Sequence, residues 1–234
     1  NEPPSVARYR WLVEDGMPDF TVLKHNSGLV LGASRKADRD DLYWRVTQFM
    51  TPNHSLAPNS FPGDMCQGNS WVPVDDHSCW IFCFAYHLER DLTDQERAQY
   101  EKGSGIFAAV DENYIPLRNR ENDYLIDRDR QKNLNFTGIE GISEQDAAIA
   151  DSQGLIADRT KELLGQTDLG IVRFRQIMLE AASDLEKGQS PLGLDSPEAY
   201  YVRSGDAMSK KGTQFLDILE ERFGEYAGEQ LRQL

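Results

Sequence analysis

The chain changes its hydrophobic rhythm about half-way along, and that change limits the folds open to it. Up to residue 86, apolar, aromatic and β-branched residues gather in short runs separated by turn signals. From residue 143 onward they recur at helical spacing instead. Strands first and helices after is the pattern of an α+β fold. Residues 20–24 and 29–31 are expected as strands joined at Asn26-Ser27-Gly28, and 42–50 as a longer strand closed by Pro52. Residues 53–70, rich in proline, glycine and asparagine, are expected as a loop. Residues 71–74 and 79–86 then read as two strands of a hairpin. In the second, Trp80, Phe82, Phe84 and Tyr86 share a face, because strand side chains alternate, and that face should meet helices or line a cavity.

Thr93-Asp94-Gln95-Glu96 has the form of a capping box opening a short helix. Residues 111–142 show no periodicity, interleave arginines with acidic residues, and are long for a connection. Ser143-Glu144-Gln145-Asp146 should open a helix with Ile149, Ile156 and Leu163 among its apolar positions, running to Gly165. A second begins at Thr167-Asp168, with Ile171, Phe174, Met178, Ala181 and Leu185 on one face. A last helix is expected from about Ser209, carrying Phe215, Ile218, Leu219 and Phe223.

The net charge of −14 opposes nucleic acid and anionic membranes as partners. No apolar run approaches the roughly 20 residues that span a bilayer. Cys66, Cys79 and Cys83, an odd number, read as reduced thiols of a cytoplasmic protein. Arg45 interrupts an aromatic strand, where an unpaired guanidinium would be costly. It requires either a wet face or an anion.

Several segments together resemble one family. Tyr43-Trp44-Arg45-Val46-Thr47-Gln48-Phe49 with Pro52, Trp71-Val72-Pro73-Val74-Asp75-Asp76, residues 124–132, Phe136-Thr137-Gly138-Ile139, Glu144-Gln145-Asp146 and Asp158-Arg159-Thr160 occur in order. They resemble Rieske non-haem iron oxygenases of the phthalate dioxygenase and carboxyvanillate O-demethylase type. The likeness covers roughly residues 8–190.

This resemblance implies a helix-grip (START-like) fold, a curved antiparallel sheet with long helices across it. Residues 1–190 would be the catalytic domain and 191–234 a C-terminal helical extension. It implies a mononuclear Fe(II) held by two histidines and one aspartate, the facial triad that leaves positions open for dioxygen. The aspartate position is Asp146, for which a helix cap is the plain alternative; Glu144 is expected to be solvated. It further implies a [2Fe–2S] Rieske cluster, an electron-donating reductase, an aromatic acid substrate and a homotrimer. Arg45 and Arg8 are the candidates to hold the acid, with Asn133 beside it; an internal ion pair for each arginine and loop capping by Asn133 and Asn135 are the competing readings.

Two parts of the family pattern are missing. His25, His54, His77 and His87 form no helical pair, and the cysteines do not make the Cys-x-His and Cys-x-x-His pairs of a Rieske cluster. The chain is therefore expected to be the C-terminal part of a longer protein whose own Rieske domain precedes it, and to be inactive alone. The alternative is a helix-grip module that binds a small molecule without redox chemistry.

Overall fold

Helix α1 (Pro4–Glu14) begins with a proline in its first turn, where the missing N–H costs nothing. A computed structural model describes residues 2–58, 65–101, 108–228 and 231–233. Strands β1 (Asp19–His25) and β2 (Gly28–Lys36) follow as a hairpin in the register Val22↔Leu31, turning at Asn26-Ser27. Strand β3 (Asp41–Met50) lies along β2 from Lys36↔Leu42 to Gly28↔Met50. At Gly28 a side chain would run into the carbonyl of Phe49, so the hairpin needs glycine there. The segment expected as a loop contributes two strands, β4 (His54–Ala57) and β5 (Cys66–Pro73), paired from His54↔Ser70 to Ala57↔Gln67. Turn-forming residues predominate there, but the open edge of β3 supplies a partner that local propensity cannot reveal.

After β6 (Cys79–Tyr86) come α2 (Asp94–Glu101), α3 (Arg128–Asn133), α4 (Ile142–Ser152) and α5 (Leu169–Glu186). The capping box of α2 forms as expected: Glu96 N–H donates to Thr93 Oγ1 at 3.2 Å, and Thr93 N–H donates to Glu96 Oε2 at 2.7 Å. Strand β7 (Gly205–Lys210), helix α6 (Phe215–Phe223) and strand β8 (Arg232–Gln233) complete the chain. Ser209 thus lies in a strand, and the last helix starts at Phe215. Residues 191–234 are not simply a helical extension, because β7 pairs with the middle of the sheet, from Asp41↔Lys210 to Val46↔Gly205.

The antiparallel sheet has the order β6-β5-β4-β3-β2-β1-β8, with β7 sharing an edge of β3 with β4. This open sheet with helices is α+β and consistent with a helix grip. By contacts the chain divides into one unit of residues 1–71, 84–88 and 163–234, and another of 72–83 and 89–162.

Helices pack on both faces of the first unit's sheet. On one, Leu23, Val30, Trp44, Val46 and Ala207 pack under Phe215, Ile218, Leu219 and Phe223 of α6. Trp44 and Phe215 stack at 5.2 Å. A Cβ on Gly32 would lie 2.4 Å from the Phe215 ring, so that close approach requires glycine. On the other face, Leu169, Phe174 and Ile177 of α5 cover Val22, Leu29, Leu31 and Phe49. Ala7 and Trp11 of α1 cover Tyr43 and Met208 farther along the same face. The inward side of α5 is thus Phe174 and Ile177, whereas Ile171 and Leu185 are exposed. Each fully buried large apolar side chain contributes about 1.5–3 kcal/mol.

Helix α4 ends at Ser152 rather than near Gly165, and Ile149, Ile156 and Leu163 are exposed. Trp80 and Phe82 of β6 are exposed as well, with Trp80 edge-on to Tyr114 at 5.5 Å. Of the aromatic face of that strand, only Phe84 meets the core as expected, packing against Met50, Leu56 and Val202.

Candidate functional site

The candidate side chains fall in two places. In the second unit, the loop before α4 is built around Asn135. Its Oδ1 accepts Gly138 N–H at 2.7 Å, and its Nδ2 donates to the Ile139 carbonyl at 2.9 Å. Gly138 has a positive φ, and a side chain on it would meet the Asp127 carbonyl. Asn133, at the end of α3, is exposed and makes no hydrogen bond with the described residues. Loop capping therefore belongs to Asn135, not to Asn133.

Helix α4 starts at Ile142, with Gly141 (φ 95°) at its N-cap, two residues before the Ser143 of the expected capping box. That places Glu144 in the first turn and Asp146 beyond it, so Ser143-x-x-Asp146 is not a cap. Glu144 folds back over Gly141, in space that any Cβ there would fill. It is 7% exposed, and its Oε1 accepts Ala109 N–H at 3.3 Å while Oε2 has no hydrogen-bond partner. The expectation that Glu144 is solvated is corrected. Two residues along a helix are about 200° apart, so burying Glu144 turns Asp146 outward. Asp146 is exposed, with no hydrogen bond or ion pair to the described residues.

Asp146 can offer both carboxylate oxygens to a metal, but the rest of a ligand set is not assembled here. No three His, Cys, Asp or Glu side chains converge among the described residues. His25 is held on both ring nitrogens by Ser27 and Gln48, and His54 Nδ1 lies 2.7 Å from Ser70 Oγ. The described residues therefore fit one arm of a facial triad and not the triad, and no step through iron follows from them.

In the first unit, Arg8 and Arg45 converge. Arg45 on β3 and Asp206 on β7 are direct partners across the sheet. Arg8 reaches the same Asp206 from α1, its Nη1 3.2 Å from Oδ2. Arg8 thus makes the internal ion pair that was its plain reading. Arg45 is half-buried and, of its five N–H groups, has only Nη2 engaged by a described residue, the Pro58 carbonyl at 3.1 Å. Along β3, Tyr43 is sealed by Trp11 and Phe49 by Phe174. Between them Arg45 and Thr47 stay half-buried, so this strip of the sheet is incompletely covered.

Charge is unbalanced here. Burial pushes the Asp206 carboxyl up to about 6, despite the opposing pull of Arg45, Arg8 and Tyr43. Burial, then Asp206, raises the Tyr43 hydroxyl. Arg35 on β2 donates from Nε to the Asp15 carbonyl but has a buried Nη1 without a partner. Burial, then Arg45, lowers its pKa. Sequence reasoning missed Asp206, Tyr43 and Arg35 because only strand register brings them to the arginines.

A family model described as LigXa C-terminal domain like matches residues 9–223. The chain is 36% identical over 152 residues to the phthalate 4,5-dioxygenase oxygenase subunit of Pseudomonas putida, covering 64% of this chain and 34% of that one. It is 31% identical over 225 residues to the 3-chlorobenzoate-3,4-dioxygenase oxygenase subunit of Comamonas testosteroni, covering 88% of this chain and 51% of that one. The chain thus spans between a third and a half of the length of these relatives. No helix of the described residues is long and apolar enough to cross a membrane.

Proposed function

Since the chain belongs to the LigXa C-terminal domain-like family and is a catalytic C-terminal domain of the Rieske oxygenase kind, we propose that it holds an aromatic acid for hydroxylation or O-demethylation. The observation that carries this reading is the convergence of Arg8 and Arg45 on a partly open strip of sheet, where both face Asp206. A guanidinium presents paired donors that match a carboxylate, and in a partly desolvated site such bonds are strong and directional. In a chain of net charge −14, a local excess of guanidinium is a selective feature rather than a general attraction to anions.

The relatives' names, phthalate and 3-chlorobenzoate dioxygenases, support an aromatic carboxylate as the substrate class. Asp146 is the proposed carboxylate ligand of a mononuclear Fe(II), completed by two imidazoles from outside these residues. When bound, that iron supplies the activation of dioxygen. Electrons would come from a reductase through a [2Fe–2S] Rieske domain, in a homotrimer, within the cytoplasm. This chain's own residues bind and orient the acid: Arg45 offers its free donors from β3, and Arg8 approaches from α1. Asn133 is retained as a candidate contact at the end of α3.

In the full-length protein, Arg45→Met should weaken binding of an aromatic carboxylate by about 10- to 100-fold, the worth of one charge-assisted pair. Asp146→Ala should abolish iron incorporation while leaving acid binding intact. Unchanged acid affinity in the arginine variant would sink the substrate assignment. The exposure of Asp146 favours a second reading, a binding module without iron. Iron content independent of Asp146, with acid binding retained, would select it.

A further inference from the structure

Among the described residues Asp206 is the carboxylate that faces both Arg8 and Arg45, and it is 1% exposed. From α1, Arg8 Nη1 donates to it at 3.2 Å; on β3, Arg45 stands directly opposite and Tyr43 faces it. Arg222 of α6 uses Nε to hold its main-chain oxygen at 3.2 Å, leaving the carboxyl to the other face. Arg35 of β2 lies beside Arg45 and faces Asp15 in turn. One carboxylate therefore serves two guanidiniums, and the second is left with a single backbone carbonyl.

A carboxylate entering this site would complete the pairing of Arg45, but it would also place a second anion beside Asp206. Each carboxylate would then have a guanidinium, but burial already disfavours the ionised form of Asp206 despite both arginines, and a second anion beside it pushes the same way. The entering acid gains the exposed donors of Arg45, while Asp206 cannot leave its strand. The proton therefore goes to Asp206.

We propose that Asp206 is the specificity residue of this site, and that the arginine pair takes up an aromatic carboxylate together with one proton from solvent, which resides on Asp206. This rests on Arg8 and Arg45 being the carboxylate site. Burial has already moved the Asp206 carboxyl up to about 6, so little further push protonates it at neutral pH. A neutral amide of the same shape brings no anion and recruits no proton.

The test is calorimetric titration of the full-length protein with benzoate, in two buffers of different ionisation enthalpy, from about pH 6 to about pH 8. Wild type should take up close to one proton per benzoate at the upper end, with affinity falling toward tenfold per pH unit. Benzamide should bind with no proton uptake. Asp206→Asn should abolish the uptake and bind benzoate up to about 100-fold more tightly than wild type near pH 8, two units above the Asp206 carboxyl. If Asp206→Asn fails to fold, the proton count on wild type decides by itself. Benzoate binding that is lost in Arg45→Met but recruits no proton in wild type overturns the role of Asp206 and leaves the arginine site standing. Absence of benzoate binding at every pH, or full binding by Arg45→Met, overturns both.

Discussion

Asp206 and His25 are both buried ionisable side chains, and their titrations act on stability with opposite sign. The Asp206 carboxyl is raised to about 6 from an ordinary 3.8, so folding favours its protonated form. Its contribution is full below about pH 3.8 and is lost as pH rises through about 6. The unfolding free energy of wild type minus that of Asp206→Asn should therefore fall by about 3 kcal/mol between about pH 4 and pH 7, measured by urea titration. A flat difference would contradict the placement of Asp206. His25 behaves the other way: burial lowers its pKa, so its stability is present above about 6.5 and is lost as pH falls below that. Its neighbours set its tautomer. Nδ1 accepts Ser27 N–H, so Nε2 carries the proton toward Gln48 Oε1, 3.1 Å away. Gln48 Nε2 then donates to the carbonyls of Arg203 and Ala227. Replacing Gln48 by Leu strands all three groups, and should cost on the order of 3 kcal/mol in chemical denaturation.

Among the elements, α6 depends most visibly on one position of the sheet. Its four buried side chains, Phe215, Ile218, Leu219 and Phe223, form the hydrophobic stripe of a short helix. Phe215 occupies the space that a Cβ on Gly32 would claim. Gly32→Val should thus lower stability by about 2 kcal/mol through overpacking, and Leu219→Ala by about 3 kcal/mol through a cavity. A thermal melt in which Gly32→Val equals wild type would refute that packing. Helix α4 teaches a different lesson. Acidic residues cluster at its start in the sequence, but the cap position decides which of them turns inward. Gly141, held at φ 95°, caps the helix two residues before Ser143, and Glu144 takes the interior.

Across the whole molecule, apolar burial is uneven. Of the buried apolar side chains among the described residues, only Ile139 and Ala148 belong to the second unit. That unit also carries Leu134, Ile142, Leu155 and Phe136 exposed, the last at 99%. With so little buried surface, its backbone should open at lower free energy than the sheet of the first unit. Native-state hydrogen exchange should show α4 amides exchanging well before those of β2 and β3; equal protection would contradict this. The charge of −14 adds self-repulsion, which moderate salt should relieve as a small rise in melting temperature.

The residue pattern alone was enough for the α+β class, the β1–β2 hairpin, β3, the capping box of α2 and the buried face of α6, because each rests on local periodicity or local hydrogen bonding. The family, too, was legible in short segments such as Tyr43–Phe49 in the strand and Glu144-Gln145-Asp146. What the tertiary structure decided was whatever depends on strand register and helix phase. β4, β5 and β7 form because β3 has an edge to offer, and Asp206 meets Arg45 only because β7 is paired there. Glu144 rather than Asp146 lies inside because one glycine shifts the start of a helix. Register and phase are set by contacts far apart along the chain, and no local stretch of residues contains them.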